Sequence, residues 1–269
     1  MNSIQQKNAF NSDKIGPNSF LVHGLIGKGS FGEVYLVEKS DQGKLYAMKV
    51  LHKSKINKQN LGQYAMSERN ILSYIKHPFI VHLYFAFQTQ DKLFLILQYC
   101  PGGDLGELLK KEKKFCEEKT KFYLSEIILA LEFLHQKDII FRDLKPDNIV
   151  LDYEGHVMIT DFGLSKEGII DQCIGAKSFC GSYAYLAPEM LKQTGHGKAV
   201  DWYLLGVLMY ELLIGEPPFY TSNKDILLKN IEGGKLNIPE YLSLEAKSIL
   251  KSETNNEYST QIYQIKNIV

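Results

Sequence analysis

An α+β fold of two lobes, strand-rich at the N-terminal end and helical after it, is predicted by three features of the sequence. Strand-length apolar runs bounded by turn residues fill the stretch from Phe20 to Tyr99. Pro101-Gly102-Gly103 then breaks the pattern, and beyond it apolar residues recur at helical spacing or fill whole helix-length runs. Between two apolar runs lies Ile139–Leu151, I-I-F-R-D-L-K-P-D-N-I-V-L, whose polar core of Arg142, Asp143, Lys145, Asp147 and Asn148 is not explained by packing.

Residues 1–19 are rich in Asn, Gln and Ser without periodicity and are expected to form a disordered arm. From Phe20, F-L-V-H-G-L-I-G and the run through Glu33–Val37 read as two strands joined by a glycine-rich turn. Gly27, Gly29, Gly32 and Val34 fit G-x-G-x-x-G-x-V. A dinucleotide-binding fold would need a helix directly after the glycines. A second strand follows instead, which favours a flap over a nucleotide's phosphates, with glycines letting backbone amides approach the oxygens. Lys44–Leu51 is the next strand, with Ala47 and Lys49 on a face expected to line a cleft and Met48 and Val50 on the other. After a polar stretch, Gln59–Lys76 has helical spacing, and its Glu68 either reaches Lys49 or faces solvent. His77-Pro78 stops that helix, and Val81–Gln88 and Leu93–Tyr99 are two further strands.

Past the break, Asp104–Lys113 is a short helix and Glu117–Gln136 a longer one, with Leu124, Ile127, Ile128, Leu131 and Leu134 on one face. Apolar flanks would tie both ends of the Ile139–Leu151 loop into a core, so that Asp143, Lys145 and Asn148 converge on one centre. An acceptor, a cation and a metal-capable amide suit phosphoryl transfer, whereas a plain surface turn at Lys145-Pro146-Asp147 is the bland alternative. Val157–Thr160 is a strand leading to Asp161-Phe162-Gly163, where a carboxylate beside a glycine could hold a divalent cation. A long irregular segment, Leu164–Tyr185, reaches Ala187-Pro188-Glu189. Val200–Gly215 is apolar on nearly all sides and so buried, and Asn223–Ile231 is one more amphipathic helix.

Of 269 residues, 45% are hydrophobic and 23% charged, enough for a sizeable core. Lys plus Arg equals Asp plus Glu at 31 each, so no global field argues for nucleic acid or an anionic membrane as the main partner. Four cysteines show no C-x-x-C spacing, the start has no apolar signal core, and no run approaches a membrane span. The expected location is the cytoplasm, with the nucleus open as a second compartment, and no membrane insertion.

Together these motifs resemble the eukaryotic protein kinases, from about Phe20 to about Ser252, with an N-lobe at 20–98 and a C-lobe at 99–252. The resemblance implies ATP and Mg²⁺ as cofactors and a role for each matching residue. Gly27, Gly29 and Gly32 would cover the phosphates, Lys49 would hold two of them while Glu68 orients it, and Asp161 and Asn148 would bind the metal. Asp143 would accept the substrate proton and Lys145 would steady the γ-phosphate. Val34, Ala47 and Val150 would sandwich adenine, with Leu97 as gatekeeper and Gln98 and Cys100 in the hinge. The segment Ser178–Ser182 followed by Tyr185–Glu189 resembles, more narrowly, the group of protein kinases A, B and C. That likeness implies Ser178 as an activation-loop phosphosite, filled by an upstream kinase or by autophosphorylation, with Arg142 and Lys166 pairing its phosphate. It also implies protein substrates with basic residues upstream of Ser or Thr, met by Asp104, Asp147, Ser182 and Glu211.

Four departures accompany the match, and one is Gln98 in place of a common hinge Glu, where adenine contacts come from backbone atoms. Phe141 replaces the usual His or Tyr of the catalytic loop, where it should still stack with Leu72, Leu83 and Phe162. Tyr183-Ala184 replaces the usual Pro-Glu. From Glu253 to Val269 the text ceases to match, so the last C-lobe helices and the arginine that would pair Glu189 are expected to be missing. The alternative reading is therefore a truncated, unstable or inactive kinase-like module that binds ATP or a partner without turnover.

Overall fold

The computed structural model describes residues 15–28, 32–58, 62–173, 176, 183–192 and 195–254. Five antiparallel strands form the N-lobe sheet in the order β1-β2-β3-β5-β4: β1 (Phe20–Lys28), β2 (Gly32–Lys39), β3 (Lys44–His52), β4 (Leu83–Gln88) and β5 (Lys92–Gln98). Period-two alternation splits β3. Tyr46, Met48 and Val50 join Phe20, Val37, Phe94 and Ile96 in an aromatic-rich cluster, and Ala47 faces the other way with Leu95 and Leu97. Ile15 packs on the first cluster, and Pro17–Ser19 make one 3-10 turn into β1.

Two helices follow β3. The polar stretch contains α1 (Lys53–Lys58), which the sequence did not announce, and α2 (Gly62–Tyr74) carries Glu68. Helix α1 has no acid in its first turn, and among residues 53–56 Ile56 alone is buried, too little for a periodic signal. Helix α2 packs over the turn Phe162–Leu164, which is how the N-lobe reaches the C-lobe motifs.

The C-lobe holds α3 (Leu105–Glu112), α4 (Glu117–Gln136), a hairpin of β6 (Ile149–Leu151) and β7 (Val157–Ile159), then α5 (Pro188–Lys192), α6 (Ala199–Ile214), α7 (Lys224–Gly233) and α8 (Leu244–Thr254). Burial all around α6 follows from its apolar sequence, and it packs against α4 and α8. Gly215 ends it at φ 104°, where a Cβ would lie 2.3 Å from the Lys113 carbonyl oxygen. The lobes meet where Val81 N–H donates to Ile159 O at 3.0 Å and Ile159 N–H to Phe79 O at 2.9 Å. Phe141, Leu72 and Phe162 are wholly buried in one core with Leu83 against it, and the Phe141 and Phe162 rings meet edge-on at 5.1 Å, so the apolar column survives the substitution.

Candidate active site

The face of β3 that carries Ala47 and Lys49 opens onto a cleft of about 930 Å³ between the lobes, at the upper end of the range for small-molecule sites. Lys49 Nζ lies 2.7 and 2.8 Å from the two carboxylate oxygens of Glu68 on α2, and 2.9 Å from Asp161 Oδ1. Burial alone would depress the Lys49 ammonium, but Asp161 and Glu68 outweigh it and hold its pKa above the ordinary value. Burial likewise works against Asp161, yet Lys49 pulls its pKa below the usual carboxylate range. Glu68 is 2% exposed and is pushed up by burial, with the Asp161 charge adding to it. One ammonium thus serves two carboxylates from different lobes, and removing it would leave both uncompensated.

The loop after α4 is fastened from beneath. Asp201 on α6 is fully buried and accepts from Phe141 N–H at 2.8 Å, Arg142 N–H at 2.7 Å and His135 Nε2 at 2.8 Å. These bonds hold Arg142 at φ 68°, a left-handed conformation that costs a residue with a Cβ about 1–3 kcal/mol. The next residue, Asp143, is presented to the cleft. Asn148 Nδ2 donates to both the carbonyl oxygen and Oδ2 of Asp143 at 2.7 Å, and Lys145 Nζ lies 3.1 Å from Oδ2. Burial pushes the Asp143 carboxyl up, with Lys145 and Asn148 opposing. A carbonyl oxygen can only accept, so the Asn148 amide must turn its nitrogen to Asp143. Its Oδ1 then has no hydrogen-bond partner among the described residues.

Gly27, Gly32, Val34, Ala47, Leu97, Gln98, Cys100 and Val150 all line the cleft; Gly29 lies outside the described residues. Gly32 has a packing reason to be glycine besides any approach to phosphate, since a Cβ there would sit 2.0 Å from the Val50 carbonyl oxygen. The Cys100 thiol is pushed up to about 12 by burial and stays protonated.

Asp104 and Asp147 also line the cleft. Asp104 does double duty, because its Oδ1 caps α3 by accepting from Glu107 N–H at 2.7 Å. Glu211 lies deeper, 9% exposed, and accepts from Tyr185 Oη. Burial pushes its pKa up to about 7, with Tyr185 opposing and Asp147 adding. Arg142 Nε donates to Leu164 O at 2.8 Å, and its Nη1 lies 3.4 Å from His196 Nε2. Lys166 is half-buried and exchanges backbone bonds with Ile140. Ser178 and Ser182 lie outside the described residues, as do 1–14 and 255–269 of the two termini. Sequence reasoning missed Asp201 and His135 as parts of the site; the available signal was a lone carboxylate near the start of an otherwise apolar helix.

Comparison with known proteins matches residues 20–266 to the family described as the protein kinase domain. The RAC family serine/threonine-protein kinase homolog of Dictyostelium discoideum is 48% identical over 240 residues, 89% of this chain and 54% of that protein. Ribosomal protein S6 kinase beta of Caenorhabditis elegans is 48% identical over 254 residues, 93% of this chain and 46% of that protein. Ribosomal protein S6 kinase alpha-2 of Homo sapiens is 49% identical over 243 residues, 89% and 33% respectively. The chain spans about half or less of the length of these relatives.

Proposed function

This chain belongs to the protein kinase domain family, and we propose that it is a serine/threonine kinase that transfers the γ-phosphoryl group of ATP to protein hydroxyls. The observation that carries this reading is the convergence of Lys49, Glu68 and Asp161 across the cleft from Asp143, Lys145 and Asn148. Lys49 would bind phosphate oxygens while Glu68 holds it in place. Asp143, with its pKa raised, would accept the proton as the substrate oxygen forms its bond to the γ-phosphorus and the bond to the bridging oxygen of ADP breaks. Lys145 would offset the charge on the transferred group.

The donor set fits Mg²⁺. Asp161 is held ionised by Lys49, and Asn148 Oδ1 is left without a partner among the described residues, giving hard oxygens of the kind that join substrate phosphates around this ion. Asp161 and Asn148 would hold the ion, which would supply positive charge to offset that of the nucleotide's phosphates.

A preference for arginine upstream of the phosphoacceptor is supported by Asp104, Asp147 and Glu211, since carboxylates pair the guanidinium fork better than lysine's point charge. Phosphorylation of Ser178, by an upstream kinase or by the chain itself, is the matching regulatory step, with Arg142 and Lys166 as the cations. Free thiols at Cys100, Cys116 and Cys173 suit a reduced compartment, and we place the protein in the cytoplasm or nucleus. No described helix is long and apolar enough to cross a membrane.

One observation favours a second reading, a nucleotide-binding module without turnover. Burial raises the Glu189 pKa, and none of the ion pairs among the described residues includes it. A phosphotransfer assay on an arginine-containing serine peptide separates the two. Activity that disappears in Asp143→Asn and Lys49→Met is expected; ATP binding by a folded chain that transfers nothing would overturn the kinase reading.

A further inference from the structure

Tyr183–Tyr185 form a 3-10 turn just before α5, and its two tyrosines are held on different sides. Tyr185 reaches inward to Glu211. Tyr183 is 42% exposed and pairs with the first residue of α7: Lys224 Nζ lies 4.0 Å from the Tyr183 ring centroid and donates to its Oη at 2.7 Å. Neither Lys224 nor its neighbour Asp225 takes part in an ion pair among the described residues. The hydroxyl and the ring therefore fix the position of an exposed ammonium without neutralising it. An anion docking on it would have less side-chain freedom to remove than on an ordinary surface lysine. Beside α3 the cleft lining is acidic on balance, with Asp104, Glu107 and Asp147 against the one cation Lys110. The surface around the phosphoacceptor position is thus electrically polarised, acids on the α3 side and a fixed cation on the α7 side.

We propose that Tyr183 and Lys224 form an anion-reading subsite of the substrate surface, selecting a carboxylate or phosphate side chain on the peptide flank opposite the arginines taken by Asp104 and Asp147. This rests on the kinase reading above and adds a second specificity element to it. Tyr183 sets the position of the cation, and Lys224 supplies the charge. A carboxylate from Asp or Glu and the phosphate of an already phosphorylated residue share the chemistry this pair recognises.

The test uses the full chain and a reference peptide with upstream arginines, one serine and alanines downstream. Asp, Glu or phosphoserine is placed at each downstream position in turn, and kcat/KM is read against the alanine peptide. Dissociation constants come from fluorescence anisotropy on the same series. At one position Asp and Glu are expected to improve both readouts about two- to fivefold, the size of an exposed ion pair. Improvement by phosphoserine alone would also support the subsite and assign it to phosphate. In Lys224→Gln the ratio should fall to about one, and in Lys224→Glu it should invert to favour lysine. Anionic peptides that match alanine at every position, or a preference that persists in Lys224→Gln, would overturn the proposal. Should no peptide be phosphorylated, the kinase reading fails, while the anisotropy ratios still decide the subsite.

Discussion

Replacing Asp201 by asparagine isolates the anchor beneath the catalytic loop. The carboxylate is fully buried and takes three hydrogen bonds: Oδ2 accepts from His135 and Phe141 N–H, and Oδ1 from Arg142 N–H. Asparagine has one acceptor oxygen, so in either orientation a buried N–H of the loop faces an NH₂ group. An unsatisfied buried donor costs about 1–3 kcal/mol, and each retained bond loses roughly 1 kcal/mol when its acceptor becomes neutral. The sum is about 3–5 kcal/mol. For a domain of this size each kcal/mol moves Tm by about 2–4 °C, so a fall of roughly 6–20 °C is expected by thermal melt. Because the freed bonds hold Arg142 at φ 68° directly before Asp143, kcat on a serine peptide should fall. The KM for ATP should change little, since Lys49 and the residues proposed to face adenine lie elsewhere. His135→Ala, which removes only one of the three bonds, should cost less. A Tm within about 2 °C of the unaltered protein, or a loss confined to the KM for ATP, would refute the assignment of Asp201 as the anchor.

Gly32→Ala should lower stability by about 1–3 kcal/mol or more through overlap with the Val50 carbonyl oxygen, whereas Gly27→Ala, whose nearest contact would be 3.6 Å away, should leave Tm unchanged; equal melting of the two variants would count against the packing role. The folded pKa of Glu211, about 7, lies above its ordinary value of 4.5, so the folded state holds this proton more tightly than the unfolded chain. Stability from this group is therefore highest below 4.5, falls as pH rises to about 7 and then levels off. Glu211→Gln lacks that slope, so its Tm relative to the unaltered protein should rise from about pH 5 to about pH 8, and a constant offset would contradict the burial of an ionising carboxyl. Lys49→Met leaves Glu68 and Asp161 without their shared cation and should reduce kcat by about 10²–10³, read by peptide phosphorylation in folded protein.

The sequence disclosed whatever repeats or is chemically conspicuous. The 20 residues of α4 and the strand run of β3 were legible because their apolar periods are long and unbroken. Helix α1 was not, since a six-residue element in a polar stretch, with Ile56 buried, gives no period to read. Lys49, Asp143, Asn148 and Asp161 were legible as chemical types because each stands in or beside an apolar run. Glu68 stayed ambiguous between solvent and Lys49, as an isolated helix glutamate must, until tertiary contact put it 2.7 Å from the ammonium. Asp104 was read for its charge alone, although D-L-G-E is also a plain N-cap signal, and the two uses are compatible because the cap occupies only Oδ1.

What no local reading could supply is the backbone conformation beside the chemistry. Arg142 and Asp161 both sit at positive φ, 68° and 64°; aspartate tolerates that region better than most residues, but turn preferences do not place an arginine there. Their conformations are held by distant partners: Asp201, 59 positions from Arg142, and Lys49, 112 positions from Asp161. Strain of this kind persists only where surrounding contacts over-determine it. The two strained residues are therefore points where the helical lobe and the sheet lobe each impose geometry on a loop whose own preference lies elsewhere. Loosening the Asp201 anchor should misplace Asp143 without changing any residue proposed to touch the nucleotide, whereas Lys49 cannot be loosened without altering a proposed phosphate contact. Variants of Asp201 are thus the ones in which a fault in assembly can be told from a fault in chemistry: kcat should fall with the fold's stability while the nucleotide binding proposed for Lys49 should be retained.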